Sequence, residues 1–220
     1  MDTLDYIVEK FNLKNKLSQR YMPIEIPNYG RNNLGELFKE LGFKVGVEVG
    51  TKRGQYAEEL CKDHPDFKLF CIDPYKSYSD YNRIDTATNE IYMNYAIELL
   101  KPYNIEFIRK YSMDAVKDFD NGALDFVYID GNHQFKYVTE DIYEWSKKVR
   151  VGGIISGHDY APVVPYKPHK QTHVWEAIHG YTRAYDINPW FVLGSRLAPP
   201  EDIRDRPRSW MWVKQYDGAC

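Results

Sequence analysis

Short apolar runs alternate with amphipathic stretches along most of the chain. The runs are β-branched or aromatic: 44–49 (KVGVEV), 68–73 (KLFCID), 105–109 (IEFIR), 124–130 (LDFVYID) and 152–157 (GGIISG), with later ones at 189–193 (PWFVL) and 210–214 (WMWVK). Several are apolar on both faces, as strands in the middle of a covered parallel sheet must be. Helical spacing lies between them, at 34–41, 54–62, 87–100, 135–149 and 172–183. In 135–149 the residues Val138, Ile142 and Trp145 share one face. Strand–helix alternation predicts an α/β doubly wound sheet. The segment 194–209 (GSRLAPPEDIRDRPRS) is polar and Pro-rich, so the last two strands are expected to run antiparallel. One domain over 33–220 is expected, preceded by an arm or lid over 1–32.

Composition narrows this picture only a little. With 43% hydrophobic and 28% charged residues among 220, the chain suits one soluble domain with a sizeable core. A net charge of −3 gives no general attraction to nucleic acid or an anionic membrane. The cysteines, Cys61, Cys71 and Cys220, are odd in number and form no CxxC pair, and the first two read as small core residues. MDTLDYIVEKF is acidic and amphipathic without a basic leader, and no run reaches the ~20 apolar residues of a membrane span. The default expectation is a reducing, cytoplasmic setting.

The first strand runs into GVEVGTKRG, residues 46–54. In α/β sheets, ligands bind beyond the C-terminal strand ends, where such a turn enters a helix. Gly50 allows a sharp turn and Gly54 a close approach of the new helix. The order Glu48-x-Gly50-x-x-x-Gly54, with Thr51 in the turn, is not the dinucleotide fingerprint G-x-G-x-x-G. An acid at Glu48 would repel a pyrophosphate and suits a ligand carrying an ammonium or sulfonium group. Asp73 ends the second strand, where an acceptor can take both ribose hydroxyls of an adenosine. Together the two acids point to a nucleoside without phosphates.

These residues resemble motifs I and II of the class I S-adenosylmethionine-dependent methyltransferases, over roughly residues 34–215. The resemblance implies a Rossmann-like fold with a seven-stranded, mostly parallel sheet and an antiparallel C-terminal hairpin. It also implies S-adenosylmethionine as methyl donor, held by Glu48, Gly50, Thr51, Gly54, Asp73 and Asp130. Ser112 and Met113, in KYSMDAV, would flank the adenine by the same analogy. Asp114 beside them could accept from the adenine amino group or cap a short helix.

LDFVYIDGNHQF ends its strand with Asp130 and then His133, and GGIISGHDY ends the next with His158 and Asp159. Adjacent strand ends bring Asp130, His158 and Asp159 together, and carboxylates with an imidazole can hold a divalent cation, magnesium or manganese being favoured by oxygen ligands. The pattern resembles metal-dependent small-molecule O-methyltransferases, notably those acting on macrolide sugars. That resemblance implies Asp130 and Asp159 as metal ligands and His133 as general base. His158 departs from it, standing where those enzymes have a carboxylate. Either the metal differs, or it is absent and His158 does acid–base work.

The expected reaction is in-line transfer of a methyl group to a hydroxyl of a small acceptor, a sugar being favoured, with the hydroxyl losing its proton as it attacks. Loops 74–90 and 160–173, rich in Tyr, Lys and His, could close over the acceptor, and the arm at 1–32 could complete the pocket or a contact between copies. Methylation of nucleic acid or protein is the alternative, but no basic stripe and no NPPY-type motif support it. A donor-binding protein without transfer activity is disfavoured by Asp130, His133 and Asp159 occurring together. An NAD-dependent dehydrogenase is disfavoured by Glu48 and the glycine spacing.

Overall fold

Each position of LDFVYI (Leu124–Ile129) is buried, because both faces of the sheet around it are covered by helices. The computed structural model describes residues 1–18, 22–64, 66–76, 86–162, 172–195 and 207–217. Its strands are β1 (Ile24–Ile26), β2 (Val45–Val49), β3 (Lys68–Ile72), β4 (Ile105–Ile108), β5 (Leu124–Ile129), β6 (Val149–Tyr160), β7 (Phe191–Leu193) and β8 (Arg208–Val213). The helices are α1 (Thr3–Lys10), α2 (Leu34–Glu40), α3 (Gln55–Cys61), α4 (Thr86–Leu100), α5 (Ser112–Ala115), α6 (Phe135–Lys148) and α7 (Val174–Ala184). No helix of the described residues is long and apolar enough to cross a membrane.

One sheet holds the strands in the order β1-β7-β8-β6-β5-β2-β3-β4. Strand β8 is antiparallel to β6 and β7, and every other pairing is parallel. The Rossmann-like architecture and the antiparallel final pair are those expected, with one addition. Seven strands are expected and the sheet has eight, because Ile24–Ile26 adds a parallel edge strand against Phe191–Leu193. Only three residues long and bracketed by Pro23 and Pro27, this strand is too short to show alternation. Ile24 and Ile26 are nonetheless buried and Glu25 exposed.

The period of two splits the core into two layers. Phe126 and Tyr128 of β5, with Met211 and Val213 of β8, join Leu34, Leu37, Phe38 and Leu60 on the α2–α3 side. Val127 and Ile129, with Trp210 and Trp212, meet Val138, Ile142, Trp145 and Ile178 of α6 and α7 on the other. Expected helix faces and observed ones agree here.

The chain leaves β2 toward β3 and β4, then returns to place β5 on the opposite flank of β2. This reversal opens a crevice at the C-terminal ends of β2 and β5, the usual ligand position in such sheets. Segments 77–85 and 163–171 of the expected closing loops, with Lys167, His169 and Lys170, and also Cys220, lie outside the described residues.

Candidate active site

Backbone geometry builds the crevice first. Gly50 sits at φ +95°, and a Cβ there would lie 2.2 Å from the Asp130 carbonyl oxygen. The Gly50 N–H donates to the Ile72 carbonyl (2.8 Å) and the Asp130 N–H to the Val49 carbonyl (2.8 Å), which pins the β2, β3 and β5 ends together. Only glycine combines that conformation with that approach. Gly54, also left-handed at φ +77°, has a different task. A Cβ there would meet Leu100 at 2.8 Å and Ala96 at 3.3 Å, so it brings α3 against α4 and lies outside the cavity lining, contrary to its expected place beside the donor.

The resulting cavity, about 480 Å³, suits a nucleoside-sized ligand. Glu48 and Thr51 line it, buried to 2% and 4% exposure. Burial pushes the Glu48 carboxyl up to about 8, and the charges of Asp130 and Asp73 add to the shift. Asp73 also lines it; its Oδ2 accepts the Lys52 N–H (2.9 Å) and its Oδ1 the Tyr75 N–H (2.7 Å). Burial raises its pKa, and those two hydrogen bonds oppose the rise. The bonds fix the carboxylate at the strand end while leaving lone pairs for further donors.

Among the described residues, four buried polar atoms of the lining lack a hydrogen-bond partner: Glu48 Oε2, Thr51 Oγ1, Tyr75 OH and Asn132 Nδ2. Unmade hydrogen bonds are costly in a protein interior, so polar atoms aimed together into one cavity fit a polar ligand. A carboxyl group, two hydroxyls and an amide donor, close to Asp73, match an adenosine bearing a cationic tail.

The adenine end follows the expectation less closely. Ser112 lines the cavity, but its hydroxyl is committed inward, donating to Asp141 Oδ1 and accepting from Trp145 Nε1 (2.8 Å). Burial pushes Asp141 up to about 7, opposed by the Ser112 hydrogen bond. Met113 packs against the α6 side of the core and is not part of the lining. Asp114 is exposed and paired with Lys117 (2.9 Å), so neither expected role, adenine acceptor or helix cap, describes it.

At the other end of the cavity four ionisable side chains meet. His133 Nδ1 lies 2.7 Å from Asp159 Oδ2, and His133 Nε2 lies 3.3 Å from Asp130 Oδ1. His158 Nδ1 is 3.6 Å from Asp159 Oδ1 and 3.8 Å from Asp130 Oδ2. Metal-ligating atoms of Asp130, His133 and Asp159 all fall within 4.8 Å of one another. Asp130, His158 and Asp159 therefore converge as expected, and His133 sits closer to both carboxylates than His158 does. Burial alone would lower the His133 pKa, but hydrogen bonds to Asp130 and Asp159 raise it to about 10. Burial likewise opposes, and the His133 contact outweighs, in holding Asp159 below the usual carboxylate range. Consecutive strand residues point to opposite faces. His158 and Asp159 reach one cluster because Asp159 is left-handed at φ +56° and the β6–β8 register shifts between Gly157 and Tyr160.

Arg31 is a lining residue that the sequence pattern does not reveal. It follows β1, lies over the Tyr56 ring at 5.1 Å and places Nη1 3.9 Å from Asp130 Oδ2. Nothing local in YGRNN marks it, since only the pairing of β1 at the sheet edge carries this segment to the crevice. Asn132 is legible in part, standing between Asp130 and His133, with its Oδ1 accepting the Gln134 N–H (3.1 Å). His173 supports the cluster from α7: its backbone N–H donates to the His133 carbonyl at 2.8 Å.

Comparison with known proteins places this geometry. A family described as a methyltransferase domain matches residues 47–160. Among solved structures, an O-methyltransferase from Bacillus cereus in complex with SAH is 13% identical, with a TM-score of 0.58, covering 96% of this chain and 90% of that one. TomG, an O-methyltransferase of tomaymycin synthesis from Streptomyces achromogenes solved with SAM, is 14% identical at a TM-score of 0.59, covering 84% and 79%. The N-methyltransferase NodS from Bradyrhizobium japonicum WM9 is 13% identical at 0.52, covering 84% and 95%. Likeness at such identities speaks to the fold. No curated protein matches the sequence.

Proposed function

The match over 47–160 spans more than half of the chain, which thereby belongs to the methyltransferase-domain family, and we propose that it moves the methyl group of S-adenosylmethionine to a hydroxyl of a small, sugar-like acceptor. The observation that carries this reading is the buried Glu48 carboxylate, its Oε2 unpartnered, facing the same cavity as Asp73 and the Asp130–His133–Asp159 cluster. Glu48 receives the cationic tail of the donor, Asp73 the ribose hydroxyls, and the cluster receives the acceptor.

Direct transfer needs the acceptor oxygen, the methyl carbon and the sulfur in line, and holding that geometry supplies much of the rate. As the oxygen–carbon bond forms, the hydroxyl proton becomes strongly acidic and must leave. Asp130 stands on the cavity wall to take it. His133 holds its own proton up to about pH 10 while Asp130 and Asp159 flank it. It can act as the base only after giving up that proton. Until then it positions both carboxylates and balances their charge. Arg31, its Nη1 3.9 Å from Asp130 Oδ2, balances part of that carboxylate's charge.

Asp130, His133, His158 and Asp159 have the chemistry to hold a divalent cation, two carboxylates and two imidazoles being ordinary ligands for one. Such an ion, when bound, lowers the pKa of a hydroxyl held against it.

Calorimetry with S-adenosylhomocysteine and NAD, in magnesium, manganese and EDTA, tests the reading. Binding of the homocysteine nucleoside and not of NAD is expected. Absence of that binding sinks the proposal, and acceptor screening in EDTA reports on the cation separately.

A further inference from the structure

We propose that the Asp130–His133–His158–Asp159 cluster selects a transition-metal dication of the kind that accepts imidazole nitrogen over magnesium. The inference rests on the reading that this cluster holds a cation, and it goes further by assigning the class of ion.

Three observations carry it. First, both imidazoles bear on the same two carboxylates: His133 at 2.7 and 3.3 Å, His158 at 3.6 and 3.8 Å. The ligating atoms of Asp130, His133 and Asp159 lie within 4.8 Å of one another, and His158 stands beside both carboxylates to offer a second nitrogen. Second, the site is poor in negative charge for a hard ion. Among the described residues only two carboxylates serve it, and Arg31 Nη1 lies 3.9 Å from Asp130 Oδ2. Magnesium is small, dehydrates reluctantly and is held mainly through carboxylate and water oxygens. Zinc and cobalt bind neutral imidazole well and depend less on accumulated charge. Third, His158 is held in place rather than draped on a surface. Its side chain is 11% exposed, and its backbone carbonyl accepts the Trp210 Nε1–H at 3.1 Å. The left-handed backbone at Asp159 lets that residue and His158 serve the same point.

His133 strengthens the argument through its two ring nitrogens. When one nitrogen ligates an ion, the other is left against a carboxylate, the arrangement that fixes ring orientation and raises ligand basicity.

The test uses the full chain freed of metal by chelator, then titrated calorimetrically with magnesium, zinc and cobalt(II) chlorides. One zinc or cobalt ion per chain is expected, bound about tenfold or more tightly than magnesium. Cobalt should give visible absorption bands of a nitrogen-containing ligand set. His158→Asp should narrow the zinc-to-magnesium ratio and change the cobalt bands, and His158→Asn should weaken zinc without strengthening magnesium. Magnesium binding as tight as zinc in the native chain overturns the inference while leaving a cation site standing. No dication binding at all overturns both. Affinity for S-adenosylhomocysteine in EDTA, measured alongside, reports on the donor site independently. The native-chain titration and cobalt spectrum decide the matter even if a variant fails to fold.

Discussion

His133 Nδ1 and Asp159 Oδ2 lie 2.7 Å apart, joining the turn after β5 to the end of β6 by a contact that only a charged imidazole makes at full strength. The raised pKa of His133, about 10 against an ordinary 6.5, carries a sign. Its contribution to stability is fully present below about pH 6.5 and is lost as pH rises through about 10. Asp159, held low, contributes above its ordinary 3.8 and loses that contribution as pH falls through its lower folded value. In chelator, the melting temperature of His133→Gln should therefore fall furthest below that of the native chain near pH 6 and approach it near pH 10. A gap that does not change across that range would show that the pair is not charged in the fold.

Glu48 has the opposite sign. Its carboxyl is raised from 4.5 to about 8 because the folded chain resists ionising it. The resulting penalty is absent below 4.5 and grows as pH rises through 8. Glu48→Gln should thus raise the melting temperature of the ligand-free protein, and more so at alkaline pH. The same change removes the partner of the donor's cationic tail. A loss of about 1.5–3 kcal/mol, roughly 10- to 100-fold in affinity for S-adenosylhomocysteine, is expected by calorimetry. Unaltered affinity would remove Glu48 from the donor site.

At Gly50 the change to alanine meets two obstacles, a left-handed backbone and the Asp130 carbonyl at 2.2 Å. Backbone strain alone costs about 1–3 kcal/mol, and relief of the clash must pull β2 from β5. Denaturant unfolding should show the loss, and nucleoside binding should weaken with it. Full stability in Gly50→Ala would contradict the described turn.

Ser112 offers a contrast between lining a cavity and serving it. Its hydroxyl holds both Asp141 and Trp145 Nε1, so Ser112→Ala leaves two buried polar groups short of a partner. A destabilisation of about 1–3 kcal/mol is expected, with a shift in Trp145 fluorescence and little change in S-adenosylhomocysteine affinity. A variant of native stability that binds the nucleoside much more weakly would return Ser112 to a direct contact.

Much of this was legible because the fold depends on periodicities that act locally. The β5 run needs no tertiary information to be read as a doubly covered strand, and Val138, Ile142 and Trp145 share a face wherever α6 is placed. The short edge strand at Ile24–Ile26 was not legible, since three residues between prolines carry no pattern until Phe191–Leu193 lies beside them. Gly54 and Met113 illustrate the same limit within the motifs. The family resemblance put both near the donor, whereas the close approach to Leu100 turned Gly54 toward α4 and packing against the α6 side drew Met113 toward the core.

By itself, then, the sequence determined the α/β order, the acids at the strand ends and the chemistry they are able to do, because residue type and strand position follow from local pattern. Tertiary structure alone decided their ionisation and company. It buried Glu48, set His133 between Asp130 and Asp159, turned Asp159 back beside His158 and brought Arg31 from the far edge of the sheet. The reason is that pKa values and ligand sets depend on distances across strands, and residues far apart in the chain meet only when the sheet is assembled.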